Sequence, residues 1–161
     1  MMVDHALQYA GRGWRIFPIK PLDKKPLTKH GFKDASVSPS IIEAWWKKYP
    51  TANIGLATGQ ASGLVVLDVD GQEGFESLDK LLAHYNGKPM PYTEIVRTSR
   101  GIHIYFALPQ GERLPCSTGQ GIEKGLDVRG DGGYVILPPS IHPSGHVYEW
   151  VVQADYDAVN A

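Results

Sequence analysis

Hydrophobic positions along the chain follow the helical period in three places and strand-like runs through most of the second half. Helical spacing between residues 3 and 10, after Ser38-Pro39 and between residues 73 and 85 predicts three short amphipathic helices. In the second helix, Ser38 is predicted as the N-cap and Pro39 as the first helical residue. Apolar runs bounded by Gly, Pro or Ser predict strands at residues 53–58, 64–69, 93–98, 102–108, 126–129, 134–137 and 147–152.

The first third of the chain adds one strand and one long loop to this pattern. Residues 14–17 are predicted to form a short strand that stops at Pro18, and residues 19–37 a basic, proline-containing loop. Many strands with few helices predict an α+β fold with a largely antiparallel or mixed sheet. We expect residues 1–161 to form a single domain, and the abrupt end after a strand suggests a fragment of a longer protein.

Composition narrows the class of protein. A chain of 161 residues can bury enough surface to fold without disulfides or a structural metal. Its single cysteine, Cys116, excludes a disulfide framework and a multi-thiolate zinc site. No apolar run reaches the roughly 18 residues of a membrane span, and the start lacks a signal-peptide pattern. These features predict a soluble, cytoplasmic protein.

The formal net charge of −1 conceals an uneven distribution along the chain. Residues 1–50 carry nine basic and four acidic side chains, whereas the remainder carries seven basic and thirteen acidic ones. The asymmetry suggests a cationic surface beside an anionic one, and an ordinary mixed surface remains open. The loop around residues 20–33, with Trp14, Phe17 and Phe32 interleaved, could track a single-stranded template by phosphate pairing and base stacking, or be a solvated loop.

A strand that ends in two aspartates is the sharpest chemical feature. Asp68 and Asp70 follow an apolar run at a spacing of two, which places both carboxylates on one face of a strand. Like charges about 5 to 7 Å apart disfavour joint ionisation unless a cation lies between them. Mg²⁺ or Mn²⁺ prefers such oxygen ligands. The alternative is structural, with Asp68 capping the strand and Asp70-Gly71 forming a turn.

A second acidic strand follows at residues 125–133. Asp127 and Arg129 share a face by the same period, which sets a third carboxylate beside a cation that can grip phosphate. Three such aspartates could hold two metal ions for phosphoryl transfer. An ordinary surface ion pair is the alternative reading of Asp127 and Arg129. Asp131, among glycines, fits a turn better than a ligand.

The segment between these strands carries a histidine and a glycine-containing turn. His103 shares its strand face with Tyr105, and the turn before it contains Ser99 and Arg100. Hydroxyl, guanidinium and backbone N–H groups suit a phosphate. A half-buried structural histidine is the competing interpretation. In an oxygen-rich site His103 would donate a hydrogen bond to phosphate rather than bind zinc.

Together these elements resemble the motifs of archaeo-eukaryotic primases, in particular the bifunctional primase/polymerase (prim-pol) domain of plasmid and phage replication proteins. The segments that carry the resemblance are residues 67–70, 99–103 and 125–129, flanked by similar pieces at 14–18, 25–26, 45–46, 52–59, 135–140, 144–145 and 148–150. The resemblance covers nearly the whole chain, and the order and spacing of the pieces make it specific.

The resemblance implies a prim-pol fold with an RRM-like catalytic sheet and an accessory N-terminal α/β part. It implies a DNA primase/polymerase that uses two Mg²⁺ or Mn²⁺ ions, (deoxy)nucleoside triphosphates and a single-stranded DNA template. Asp68, Asp70 and Asp127 match the metal-binding acids, and His103 with Ser99 nearby matches the nucleotide-binding motif. Charge and placement add three further nucleotide or template contacts: Arg100, Arg129 and Lys25.

Two departures and two alternatives accompany the resemblance. The single Cys116 cannot supply the zinc-binding stem of some relatives. In some relatives a downstream helical region is needed for priming, so polymerase activity is a firmer expectation than the initiation of primers.

Asp68 and Asp70 also resemble the nucleophile loop of haloacid-dehalogenase-like phosphatases, which need alternating βα units. A noncatalytic nucleic-acid binding module is the third interpretation. A helicase domain in a longer protein would be separate, because this chain has no P-loop motif.

Overall fold

The computed structural model describes residues 1–84, 93–117 and 123–151. Its helices are α1 (Met2–Gly11), α2 (Pro39–Lys48) and α3 (Gly71–Ala83), with a 3₁₀ turn at Gly31–Asp34. Its strands are β1 (Ile16–Ile19), β2 (Asn53–Ala57), β3 (Leu64–Asp70), β4 (Glu94–Arg97), β5 (Gly101–Ala107), β6 (Leu126–Arg129), β7 (Tyr134–Leu137) and β8 (Glu149–Val151).

The predicted elements all form, and the ends of most of them are shifted. The predicted ends at Tyr85 and Val152 lie outside the described residues. Ser38 occupies the N-cap of α2, but its hydroxyl makes no capping hydrogen bond to the backbone. The predicted stop at Pro18 is wrong, because β1 continues through it to Ile19. β1 lies at the edge of its sheet, where a missing N–H donor is tolerated.

The larger sheet has five strands in the order β6-β3-β5-β4-β8, and all neighbouring strands are antiparallel. The chain order β3, α3, β4, β5, β6 within the spatial order β6-β3-β5-β4 is that of an RRM sheet. No second helix follows β5 in the described residues 108–117 and 123–125. The α+β class and RRM-like sheet are therefore confirmed.

One face of this sheet is buried under α3. Leu78 of the helix packs with Val69, Ile104 and Leu126, all 5% exposed or less. These residues alternate along their strands with the side chains of the opposite face, which is the expected period of two. Helix α3 therefore covers one side of the sheet and leaves the other side to the aspartates.

The smaller sheet has the order β1-β2-β7 and is also antiparallel. Helices α1 and α2 pack with it around a second core, which also includes Leu64, Val66, Val96 and Tyr105 of the larger sheet. Gly55 of β2 lies against Phe17, and an added Cβ there would come within 2.6 Å of that ring. Because β7 comes from the second half of the chain, the predicted accessory part is N-terminal except for this strand.

Aromatic rings join the two sheets. Trp14 stacks on Tyr9 of α1 and on Tyr105 of β5, with both centroid distances at 5.8 Å. Trp14 is 7% exposed and Phe17 is fully buried. The suggestion that these two rings stack on a template is therefore wrong, because they belong to the core that fixes the small sheet beside β5.

Within the described ranges, no helix combines the length and the apolarity that crossing a bilayer demands.

Candidate active site

A row of three polar side chains crosses the centre of the larger sheet on the face away from α3. Asp68 of β3 lies directly opposite His103 of β5 and directly opposite Asp127 of β6. Directly opposed residues of antiparallel strands project to the same face, with Cβ atoms about 5 Å apart. The register therefore gathers residues that are 24 or more positions apart in the sequence.

Asp68 is the centre of this row and has an imidazole on one side and a guanidinium on the other. Its Oδ1 lies 3.5 Å from His103 Nε2, and its Oδ2 lies 3.8 Å from Arg129 Nη2. The same Arg129 nitrogen lies 3.5 Å from Asp127 Oδ2. Arg129 therefore lies within 4 Å of both carboxylates. The sequence suggests, as one alternative, a surface ion pair of Asp127 and Arg129 alone.

The surroundings of Asp68 keep its carboxylate charged. Burial raises the pKa of Asp68, but the hydrogen bond and charge of His103, with the charges of Arg129 and Lys24, outweigh burial and lower that pKa below its ordinary value. Only 22% of the side chain is exposed. Asp68 is therefore a largely buried anion that depends on neighbouring positive charge.

Asp70 lies at the end of β3 with a separate partner. Its Oδ1 is 3.6 Å from Arg100 Nε, and both side chains are more than half exposed. Arg100 and Ser99 form the tight turn between β4 and β5, which Thr98 closes by accepting the Gly101 N–H at 3.0 Å. Asp70 and this turn therefore meet at one edge of the sheet, beside the row that contains Asp68.

The row opens into a cavity of about 370 Å³ between the two sheets. Asp68, His103 and Arg129 line it from the larger sheet, and Lys24 and Tyr134 line it from the smaller sheet and its loop. Its remaining lining residues are Cys116, Gly132, Gly133, Val135, Ile136 and Tyr148.

Five of the residues predicted from the sequence do not line this cavity. They are Asp70, Ser99, Arg100, Asp127 and Lys25. The first three meet at the neighbouring edge, and Asp127 is joined to the cavity through Arg129. For Lys25 the structure gives no link to the site, and its neighbour Lys24 faces the cavity instead.

The sequence did not single out Lys24 or Tyr148 as cavity residues. Tyr148 is 4% exposed, and its ring lies 6.3 Å from that of His103. Burial, together with the negative charge of Asp68, raises the pKa of Tyr148 to about 12, so its hydroxyl stays protonated at neutral pH. In the sequence, Lys24 lies in a basic loop and Tyr148 in a Tyr-x-Trp segment. Neither pattern indicates that the residue lines the cavity.

Asp131 has the turn role predicted for it. Its Oδ1 accepts the N–H of Gln60 at 2.9 Å, and its Oδ2 accepts the N–H of Leu114 at 3.0 Å. These bonds tie the turn between β6 and β7 to two other loops. Asp131 therefore holds the glycine-rich wall of the cavity in position.

The three predicted metal-binding carboxylates do not form one closed cluster. Across the described part of the chain, no three His, Cys, Asp or Glu side chains converge as a group that could hold a metal ion. Asp68 and Asp127 share Arg129, whereas Asp70 contacts Arg100. Each predicted metal-binding acid thus has an arginine within 4 Å.

The sheet also bears on the phosphatase alternative. That alternative needs alternating βα units, whereas β3 pairs antiparallel with both of its neighbours. A strand with antiparallel partners on both sides cannot belong to consecutive parallel βα units. The position of Asp68 and Asp70 in this sheet does not support a haloacid-dehalogenase-like site.

Comparison with known proteins agrees with the fold. A search of curated proteins finds no match to the chain. The family model described as bifunctional DNA primase/polymerase, N-terminal, matches residues 6–160. That family suggests a primase/polymerase nucleotidyltransferase. Because the match spans nearly the whole chain, this protein belongs to the bifunctional DNA primase/polymerase (Prim-Pol) family.

Proposed function

We propose that the chain is a metal-dependent, template-directed nucleotidyltransferase. It adds nucleotides to a primer 3′-hydroxyl with release of pyrophosphate, in the replication of a plasmid, phage or other mobile element. The observation that carries this proposal is the row His103, Asp68 and Asp127, of which His103 and Asp68 line a cavity large enough for a small ligand. Family membership supplies the reaction class.

We assign Asp68, Asp70 and Asp127 as the residues that hold two Mg²⁺ or Mn²⁺ ions. Their chemistry fits, because carboxylate oxygens are the donors these hard cations prefer. Each of these carboxylates has an arginine within 4 Å, so positive charge balances the negative charge of the aspartates at this site. Bound there, the ions would supply Lewis-acid stabilisation of charge on the attacking and leaving oxygens.

The remaining residues bind and orient the substrates in this proposal. His103 donates a hydrogen bond to a phosphate oxygen, and Arg129 contributes positive charge beside Asp68 and Asp127. The turn that contains Ser99 and Arg100 contacts the triphosphate from the end of β3 where Asp70 lies. Fixed donors and charges of this kind lower the barrier to phosphoryl transfer mainly by positioning and electrostatics.

A second cavity supports a path for a single-stranded DNA template. It measures about 320 Å³, and Arg15, Phe32 and Lys33 contribute to its lining. Phe32 stacks on Tyr134, which also lines the first cavity, with ring centroids 6.4 Å apart. Basic side chains beside an aromatic ring suit phosphate pairing and base stacking. We therefore place the template along this part of the basic loop.

The reaction class is tested by following both products of a primer-extension mixture. With a primed DNA template, deoxynucleotides and Mg²⁺ or Mn²⁺, we expect a longer primer and one pyrophosphate per nucleotide added. Chelation by EDTA should abolish both signals, and readdition of the metal should restore them. Gel electrophoresis and a coupled pyrophosphate assay measure the two products.

The competing functions give different results in the same mixture. Hydrolysis of a small phosphoester without primer extension would favour a phosphatase. Template binding with neither activity would favour a noncatalytic nucleic-acid binding module. Either result would contradict the proposed reaction.

A further inference from the structure

Lys24 lies in a loop whose backbone is fixed by hydrogen bonds. The N–H of Lys20 donates to the carbonyl of Lys25 at 2.9 Å, which closes the loop. Inside it, the Asp23 carboxylate accepts the N–H of Lys24 at 2.6 Å and that of Lys25 at 3.1 Å. The Tyr134 hydroxyl donates to the Lys24 carbonyl at 2.8 Å. The backbone of Lys24 is thus anchored beside the cavity.

The ammonium group of Lys24 carries a charge that no carboxylate neutralises directly. Among the described residues, Lys20 of the same loop pairs with Asp23 at 3.9 Å, but no carboxylate oxygen lies within 4 Å of Lys24 Nζ. Its charge nevertheless contributes to lowering the pKa of Asp68 and that of His142. The cavity therefore contains an available positive charge on the wall formed by the smaller sheet and its loop.

Arg129 is a second cation that lines this cavity. Arg129 projects from β6 of the larger sheet, and 36% of its side chain is exposed. Lys24, in the loop after β1, and Arg129, on β6, therefore line one cavity. Its volume of about 370 Å³ is within the usual range of about 300–1,000 Å³ for small-ligand pockets. Two cationic side chains that line one cavity favour a multiply charged anion within it.

We propose that Lys24, together with Arg129, binds the phosphate chain of the incoming nucleoside triphosphate. This inference rests on the proposed function for the identity of the ligand. The proposal assigns Lys24 to the nucleotide site rather than to the template. It also distinguishes Lys24 from Lys25, which does not line the cavity. A lysine suits this role because its ammonium is a mobile point charge that can follow a phosphate chain.

Cys116 offers a readout of binding that does not require catalysis. It is the only cysteine of the chain, it is exposed, and it lines the same cavity as Lys24. A ligand in the cavity should therefore slow its alkylation by N-ethylmaleimide. Mass spectrometry of the intact protein can follow that alkylation without any substitution of cysteines.

We expect dATP and inorganic tripolyphosphate, in Mg²⁺, to protect Cys116, and deoxyadenosine to give no protection at the same concentrations. Lys24→Ala should raise the half-protecting concentration of dATP about tenfold, since it removes a charged contact to phosphate. Lys24→Arg should raise it less. Lys47→Ala, which removes the same charge from an exposed position of α2, should leave it unchanged.

The remaining outcomes separate this inference from the proposed reaction. Equal protection of the parent and Lys24→Ala, a tenfold rise with Lys25→Ala in its place, or full protection by deoxyadenosine would overturn the assignment of Lys24. Primer extension by a parent that dATP does not protect would overturn it too and leave the proposed function standing. Protection without primer extension would support the phosphate site and contradict the polymerase. Thermal unfolding of each variant checks that the fold is retained.

Discussion

Replacing Asp68 by Asn is expected to slow primer extension by about 10³-fold, the upper range for loss of one preorganised electrostatic group. The amide retains the shape of the side chain but removes the negative charge between His103 and Arg129. Because the hydrogen bond of His103 and the nearby positive charges of Arg129 and Lys24 outweigh burial and hold the pKa of Asp68 low, the parent carboxylate is charged at neutral pH. The charge that Asn lacks is therefore present throughout the working range of the parent.

The measurement is a single-turnover extension rate, accompanied by a template dissociation constant and an unfolding temperature. Template affinity should change by no more than about twofold, since Asp68 is assigned to catalysis rather than to the template. Asp79→Asn is the matched control, because it removes one carboxylate from an exposed position on α3. Parental rates in Asp68→Asn, or slowing by the control of similar size, would contradict the catalytic role.

Gly101→Ala is expected to destabilise the protein by about 3 kcal/mol, the upper range for overpacking a closely packed position. A Cβ at residue 101 would overlap the backbone carbonyl oxygen of Val69 on the paired strand β3. Neither backbone can move away without breaking the ladder beside Asp70. For a chain of this length the unfolding temperature should fall by about 6–12 °C.

Gly11→Ala provides the control for this prediction. Nothing lies within 4 Å of a Cβ added at Gly11, and its φ is not in the positive range. Alanine in α1 should therefore be neutral or slightly stabilising. Circular dichroism during thermal unfolding measures both variants. If Gly101→Ala unfolds within about 2 °C of the parent, the close approach of β3 and β5 at this point is not as tight as the structure indicates.

Much of the fold follows from local signals in the sequence. The bounds of β6 and β7 match the predicted runs, since turn residues delimit both strands. The strand period places Asp68 and Asp70 on one face of β3, as expected. The prediction that the first strand stops at Pro18 was wrong. A proline is tolerated in a strand that lies at the edge of a sheet, and the position of a strand is a property of the assembled sheet.

The site needed information that local patterns lack. That Asp68 faces both His103 and Asp127 depends on the register of strands far apart in the chain. Periodicity assigns faces within a strand but does not fix register between strands. Likewise, nothing in Lys24-Lys25 indicates which lysine faces the cavity, because the loop backbone and its Tyr134 contact decide that.

The most direct test of the central claim is single-nucleotide incorporation on four templates that differ only in the first unpaired base. All four deoxynucleotides are present together, with a labelled primer and Mg²⁺ or Mn²⁺, and mass spectrometry identifies the added nucleotide. The account predicts that the complementary nucleotide predominates on each template and that Asp68→Asn adds almost none. Addition of the same nucleotides whatever the template base, or no addition by the parent chain, would contradict template-directed nucleotidyl transfer at this site.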